Sequence, residues 1–138
     1  ATKYFPNNTA TTPTVLGLTA GATTFYEHEV GFDDDGTAMT AFITSGDFDI
    51  QDGQQMLSIS RGIPDFKDQV GDATIKLGLK SFPSQTSTDI SRTVTTSTTK
   101  FDLRGRGRQA NVDIRSTDVG ANWRYGTLRL DVKPDGGR

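Results

Sequence analysis

The sequence predicts an all-β fold, an antiparallel sandwich of jelly-roll or immunoglobulin-like type with about seven to nine short strands. Three observations predict it. Apolar residues alternate with a period of two from Phe25 to Val132, turn residues recur about every 8 to 14 positions, and no window of about eleven residues keeps an apolar stripe at helical spacing. Composition agrees, since Thr occurs 21 times and only Glu27 and Glu29 among 17 acids are glutamate. Thr and Asp in excess over Glu, Ala and Lys favour strands and turns.

The elements follow in chain order. Residues 1–24 contain Pro6, Asn7, Asn8, Pro13 and seven Thr between Thr9 and Thr24, with one short strand at Val15 to Leu18. They read as an extended arm, of the kind that needs another chain to order it. Residues 25–138 are then the sandwich domain. Phe32-Asp33-Asp34-Asp35-Gly36 reads as a solvated hairpin tip. Met39, Ala41 and Ile43 oppose Ala38, Thr40 and Phe42 until Ser45-Gly46 breaks the run. Phe48 and Ile50 alternate with Asp47 and Asp49, and Asp52-Gly53 then predicts a hairpin, because a type I′ turn needs positive φ at both central residues. Leu57 and Ile59 form its return strand. Ile63-Pro64-Asp65-Phe66 is a turn with an aromatic plug. Ile75, Leu77 and Leu79 alternate with Lys76, Gly78 and Lys80 up to Phe82-Pro83. Ile90, Arg92, Val94 and Thr96 share a face, as do Val112 and Ile114, and Leu128, Leu130 and Val132 mark the last strand.

Size and charge bound the function. At 138 residues the chain is one domain, or part of a larger protein, and its start at Ala1 suggests a processed or excised piece. With no cysteine it has no disulfide framework, no thiolate metal site and no cysteine nucleophile. No apolar run approaches the roughly 18 to 20 residues of a membrane helix, so no membrane partner is expected. The net charge of −2 hides a split, with residues 1–91 at −7 and residues 92–138 at +5. Such polarity can orient identical subunits head to tail or present a basic face to an anion.

The strongest local pattern is Arg104-Gly105-Arg106-Gly107-Arg108. In an extended strand all three arginines project from one face and the glycines leave the other bare. Continued in register, Ala110, Val112 and Ile114 fall on the arginine face, unless a bulge at the glycines changes it. Arg forks suit phosphate, yet subunit or anion contacts within a protein assembly are the expected use, and specific nucleic-acid binding is not expected. Asp33, Asp34 and Asp35 are weak candidates for a hard cation, since the spaced ligands and later Glu of a calcium loop are absent. No metal or other cofactor is expected. His28 has no orienting carboxylate on its own strand face, no G-x-S-x-G elbow occurs, and Asp47 with Asp49 is a pairing any Asp-rich β protein supplies. No catalytic residue is therefore assigned. Trp123 and Tyr125 share a face, and serve either as a core cluster or, if exposed, as a sugar-stacking platform.

From Phe48 to Arg138 the order of these motifs resembles the carboxyl-terminal region of structural proteins of short-tailed bacteriophages, of the tail nozzle, hub or stabilisation type. The pieces are Asp52-Gly53 with its short apolar strand, Ile63-Pro64-Asp65-Phe66, Phe82-Pro83 and Arg104-Gly105-Arg106-Gly107-Arg108-Gln109. They continue with Trp123-Arg124-Tyr125-Gly126 and the run from Arg129 to Arg138. The family pattern tends toward Trp-Arg-Leu-Gly and Pro-Asp-Gly-Arg-Arg where this chain has Tyr125 and Gly137. The resemblance implies a non-catalytic virion component of the phage tail, with Arg138 as its natural end. It also implies as partners other copies of itself and neighbouring virion proteins. The alternative is a carbohydrate-binding or adhesin module using Trp123, Tyr125 and the Asp33 to Asp35 tip.

Overall fold

The structure is a computed structural model and describes residues 16–18, 21, 25–27, 31–50, 52 and 54–136. Contacts divide the chain into two units, Ala1–Gly31 and Phe32–Arg138. In the first, β1 (Leu16–Leu18) pairs antiparallel with β2 (Phe25–Glu27), placing Gly17 opposite Tyr26. Phe25, where the period of two begins, thus pairs with the segment before it.

The second unit opens with β3 (Asp33–Asp34), β4 (Thr37–Ala38), β5 (Ala41–Thr44) and β6 (Phe48–Asp49). Longer strands follow: β7 (Leu57–Ile63), β8 (Phe66–Val70), β9 (Ala73–Lys80) and β10 (Thr88–Val94). The chain ends with β11 (Phe101–Gly107), β12 (Gln109–Ser116), β13 (Asn122–Tyr125) and β14 (Arg129–Pro134). The fold is all-β and antiparallel, but fourteen strands among the described residues exceed the seven to nine expected. Five of the fourteen are pairings of two or three residues, too short to leave a period in the sequence.

Two sheets make the sandwich. One has the order β10-β9-β12-β5, with β6 also paired along β12; the other has the order β11-β7-β14. The inner face of the larger sheet is written in β9, where Ala73, Ile75, Leu77 and Leu79 are at most 2% exposed while Thr74, Lys76 and Lys80 face outward. Register carries that face sideways: Ile75 lies opposite Ile114, and Leu77 opposite both Val112 and Ile90. Leu57, Ile59, Phe101 and Leu103 of the smaller sheet complete the core. Arg92, opposite Ile75 on the edge strand, escapes this face by donating to the carbonyls of Asp102 and Ser91 at 2.9 and 2.7 Å.

Two turn expectations come out differently. Asp35 and Gly36 both carry positive φ, 49° and 79°, and close the two-residue hairpin between β3 and β4 with Asp34 opposite Thr37. Asp52-Gly53 makes no hairpin, because β6 pairs with β12 whereas β7 pairs with β11 and β14. The connection there changes sheets. Phe48 lies opposite Ala110 and Leu57 opposite Gly107, so the two strands belong to different layers. Gly53 itself lies outside the described residues.

Glycine is required at two close approaches, one between the layers at Gly105 and one within the smaller sheet at Gly62. A Cβ on Gly105 would stand 2.2 Å from Leu79 Cδ1 and 2.6 Å from Ile90 Cδ1, and one on Gly62 would stand 2.3 Å from the Phe101 ring. Both glycines let a large side chain rest directly on backbone.

The burial pattern sets an expected contrast. Ile75→Ala should cost about 2–5 kcal/mol in denaturant unfolding, whereas Ile43→Ala, at a position 49% exposed, should cost well under that. Equal losses at the two positions would contradict this assignment of the core.

Candidate functional site

β11 carries the arginine pattern, and its neighbours decide what each arginine does. Phe101 and Leu103 point into the core, so Asp102, Arg104 and Arg106 point outward. A bulge lies between Asp102 and Gly105. The glycine side is not bare: Gly105 and Gly107 lie under Leu79 of the opposite sheet. At Arg108 the chain leaves this sheet for the other, with its amide donating to the Lys80 carbonyl and its own carbonyl accepting from Ile50, both at 2.8 Å. Ala110, Val112 and Ile114 consequently line the core rather than continuing the arginine face. Arg108 sits 5.9 Å from the centre of the Phe82 ring, apart from Arg104 and Arg106.

Arg106 binds Asp135 twice, through Nε to the carboxylate at 2.8 Å and through NH2 to the backbone carbonyl at 2.7 Å. Its partner is in the basic final third, so the charge split along the chain does not choose the pairs. The same outer face holds Arg61, paired with Asp131 at 3.7 Å, and Arg129 and Lys133 of β14. Arg104, Arg129 and Lys133 are exposed and make no ion pair among the described residues. This face therefore carries five cations against Asp102, Asp131 and Asp135.

The outer face of the larger sheet is organised around Asp113, which sequence reading missed. Asp113 lies opposite Thr44 and Lys76, and is 6% exposed. Arg115, two residues on and thus on the same side, donates to both of its oxygens at 2.8 Å, and the Thr44 hydroxyl donates at 2.8 Å. The guanidinium foremost, with the hydroxyl beside it, outweighs burial and holds the Asp113 carboxyl down to about 2. The Asp-x-Arg spacing in a strand was the available clue. Lys80 and Asn111 bind Asp47 and hold its carboxyl below the ordinary range, while Gln109 donates to Asp49 at 2.8 Å. Both carboxylates are thereby engaged in tying β6 and its approach to β12.

Trp123 and Tyr125 come together with the plug residue. Phe66 stands edge-on to Trp123 at 5.7 Å and to Tyr125 at 5.2 Å, and all three rings pack against the core. Trp123 Nε1 donates to Ser116 Oγ at 2.9 Å. The Tyr125 hydroxyl is buried with no hydrogen-bond partner among the described residues, and burial, then the charge of Asp65, pushes it up to about 12. Tyr125 also lines a cleft of about 320 Å³ with Ile43, Phe48, Val112, Leu128 and Leu130. The cleft has one wall from β5, β6 and β12 and one from β14 and the loop before it.

At the hairpin tip Asp33, Asp34 and Asp35 have their carboxylates on a solvent-facing turn, where Asp33 Oδ1 accepts from Gly36 N at 2.8 Å. Among the described residues, no group of three or more Asp, Glu, His or Cys is arranged to hold a metal ion. His28 lies outside the described residues. The remaining feature is apolar exposure: Phe32, Met39, Phe42, Ile43 and Phe48 are 41–64% exposed, five of the eight exposed large hydrophobics in the described residues. No protein-family model matches the chain, and no curated protein matches it.

Two outcomes follow from the polar pair and the ring cluster. Asp113→Asn should cost about 1.5–3 kcal/mol near neutral pH. A depressed folded pKa stabilises above the unfolded value near 3.9, so the gap between wild type and variant should close as pH falls from about 4 toward 2. A gap that stays constant over that window would exclude an ionised Asp113 as the cause. Phe66→Leu should remove two edge-to-face contacts and cost about 1–3 kcal/mol, read by denaturant titration of the single tryptophan, Trp123. Unchanged stability would mean that the rings contribute area alone.

Proposed function

We propose that this chain is a non-enzymatic assembly module, of the virion structural type that residues 48–138 resemble, acting through contacts with other protein subunits. The observation that carries the reading is the clustering of exposed apolar side chains between Phe32 and Phe48. A monomer scatters such residues singly, and their concentration in one short stretch that includes an edge strand favours a contact surface there. Phe42, Ile43 and Phe48 of this set lie on β5 and β6 at an edge of the larger sheet, where β5 is exposed at all four residues. Edge strands left apolar and uncharged are sites of pairing with another chain, and β5 has neither Lys nor Pro to blunt it.

The polar features support the same reading. The carboxylates of Asp47, Asp49 and Asp113 are each bound by a neighbouring side chain, so they serve to hold the sheet. The carbohydrate-binding alternative needs an open ring, and Trp123 and Tyr125 are half-buried against Phe66.

Analytical ultracentrifugation of the full chain across a wide concentration range tests the proposal. Concentration-dependent multimers are expected, and Phe42→Ser combined with Phe48→Ser should weaken association at least about tenfold with little change in thermal stability. A single monomeric species up to the highest attainable concentration would overturn it.

A further inference from the structure

Resting on the assembly reading, the charge distribution assigns a specific partner to one face. We propose that the outer face of β11-β7-β14 docks the acidic β3–β4 hairpin of a second copy, giving a head-to-tail contact. The surfaces are complementary in charge. From Phe32 to Phe48 the chain carries four carboxylates, Asp33, Asp34, Asp35 and Asp47, and no cation. Asp47 is occupied by Lys80. That leaves Asp33 and Asp34 of β3 and Asp35 of the turn without an ion pair among the described residues, Asp33 accepting from the Gly36 amide.

The opposite surface has the matching surplus. Arg61 and Arg106 are used by Asp131 and Asp135, which leaves Arg104, Arg129 and Lys133 exposed against Asp102 alone. Three fixed cations on strands face outward where the carboxylates at the end of β3 and in its turn, which have no ion pair among the described residues, would meet them. Burial of each charge is met by an opposite one, which is the condition for such a contact to select its partner and orientation. Like-signed copies of either surface would repel, so tip meets face and neither surface meets itself.

Apolar residues beside the tip fit the same face. Phe32 and Met39 flank the hairpin and are 53% and 51% exposed. The face they would meet is built from Arg and Lys stems, which cover apolar surface while the guanidinium planes stack on rings. A hairpin of one copy on the sheet face of the next joins two different patches. Made reciprocally the contact closes a two-fold dimer, and repeated in one direction it closes into a ring or extends into a filament, according to the rotation between copies.

Charge reversal in the full chain tests the inference, with sedimentation velocity and native mass spectrometry as readouts and circular dichroism confirming the fold. One variant carries Asp33→Lys, Asp34→Lys and Asp35→Lys; the other carries Arg104→Glu, Arg129→Glu and Lys133→Glu. Each alone should lose association at least about tenfold, wild-type association should fall steeply with salt, and an equimolar mixture of the two should recover it. Recovery identifies tip-on-face contact, because in the mixture every surface regains an opposite partner. Should a reversed chain fail to fold, the neutral variant Arg104→Gln with Arg129→Gln is read by loss of association and a flatter salt dependence alone. Association of either reversed variant at wild-type strength, or no recovery on mixing, overturns the inference. If wild type assembles and only the Phe42→Ser, Phe48→Ser variant weakens it, this contact is wrong and the assembly reading stands. A wild type that is monomeric throughout removes both.

Discussion

Leu79 and Ile90 rest on the backbone of Gly105, and much of the second unit is arranged by that approach of two sheets. A sheet with one apolar face must cover it, and β9 has four consecutive inward positions that are almost fully buried. The smaller sheet covers them only by bringing β11 close, which a side chain at residue 105 would prevent. Once β11 lies there, Arg104 and Arg106 point away from the core, Arg106 toward Asp135. The chain must then cross at Arg108 to supply β12 to the other layer, and the apparent continuity from the arginines to Ala110, Val112 and Ile114 is broken.

The outer faces take their character from what the core leaves over. On the larger sheet, Thr74, Lys76, Asn111, Asp113 and Arg115 sit in register beside one another, and pairing is local and dense. Asp113 is the deepest of these groups, and its bidentate arginine with the Thr44 hydroxyl makes burial of a charge tolerable there. Its position ties β5 to the rest of the sheet by a side-chain bond as well as by backbone pairing. On the smaller sheet the cations outnumber the acids, and some are exposed without an ion pair among the described residues. Two layers that share one core thus present different chemistry outward.

β5 and β6 complete the larger sheet but are poorly covered themselves. Ile43 and Phe48 point toward the core side, yet the neighbouring layer stops at β14, leaving a cleft of about 320 Å³ with Tyr125 on its wall. Phe42, on the other side, is exposed at 64%. An edge in this state is stable in a monomer only at the expense of hydrated apolar surface, which a neighbouring subunit would remove from water. The assembly reading rests on that surface, and its direction rests on the charge difference between the tip and the opposite face.

The sequence by itself determined the strand class, the inward residues of β9, β12 and β14, and the Asp35-Gly36 hairpin. Each of these is set by alternation or turn chemistry acting over a few neighbouring residues, so a local reading reaches them. It determined also that Trp123 and Tyr125 share a side, whereas Phe66, read as part of a turn, opens β8. Only the tertiary structure decided which strands pair, and therefore that Asp52-Gly53 joins two sheets and that Arg104 and Arg106 part from Arg108. It alone brought Arg115 and Thr44 to Asp113, and Phe66 between Trp123 and Tyr125. Those outcomes depend on which distant strand offers a complementary buried face, and a residue carries no local mark of the partner across the sheet.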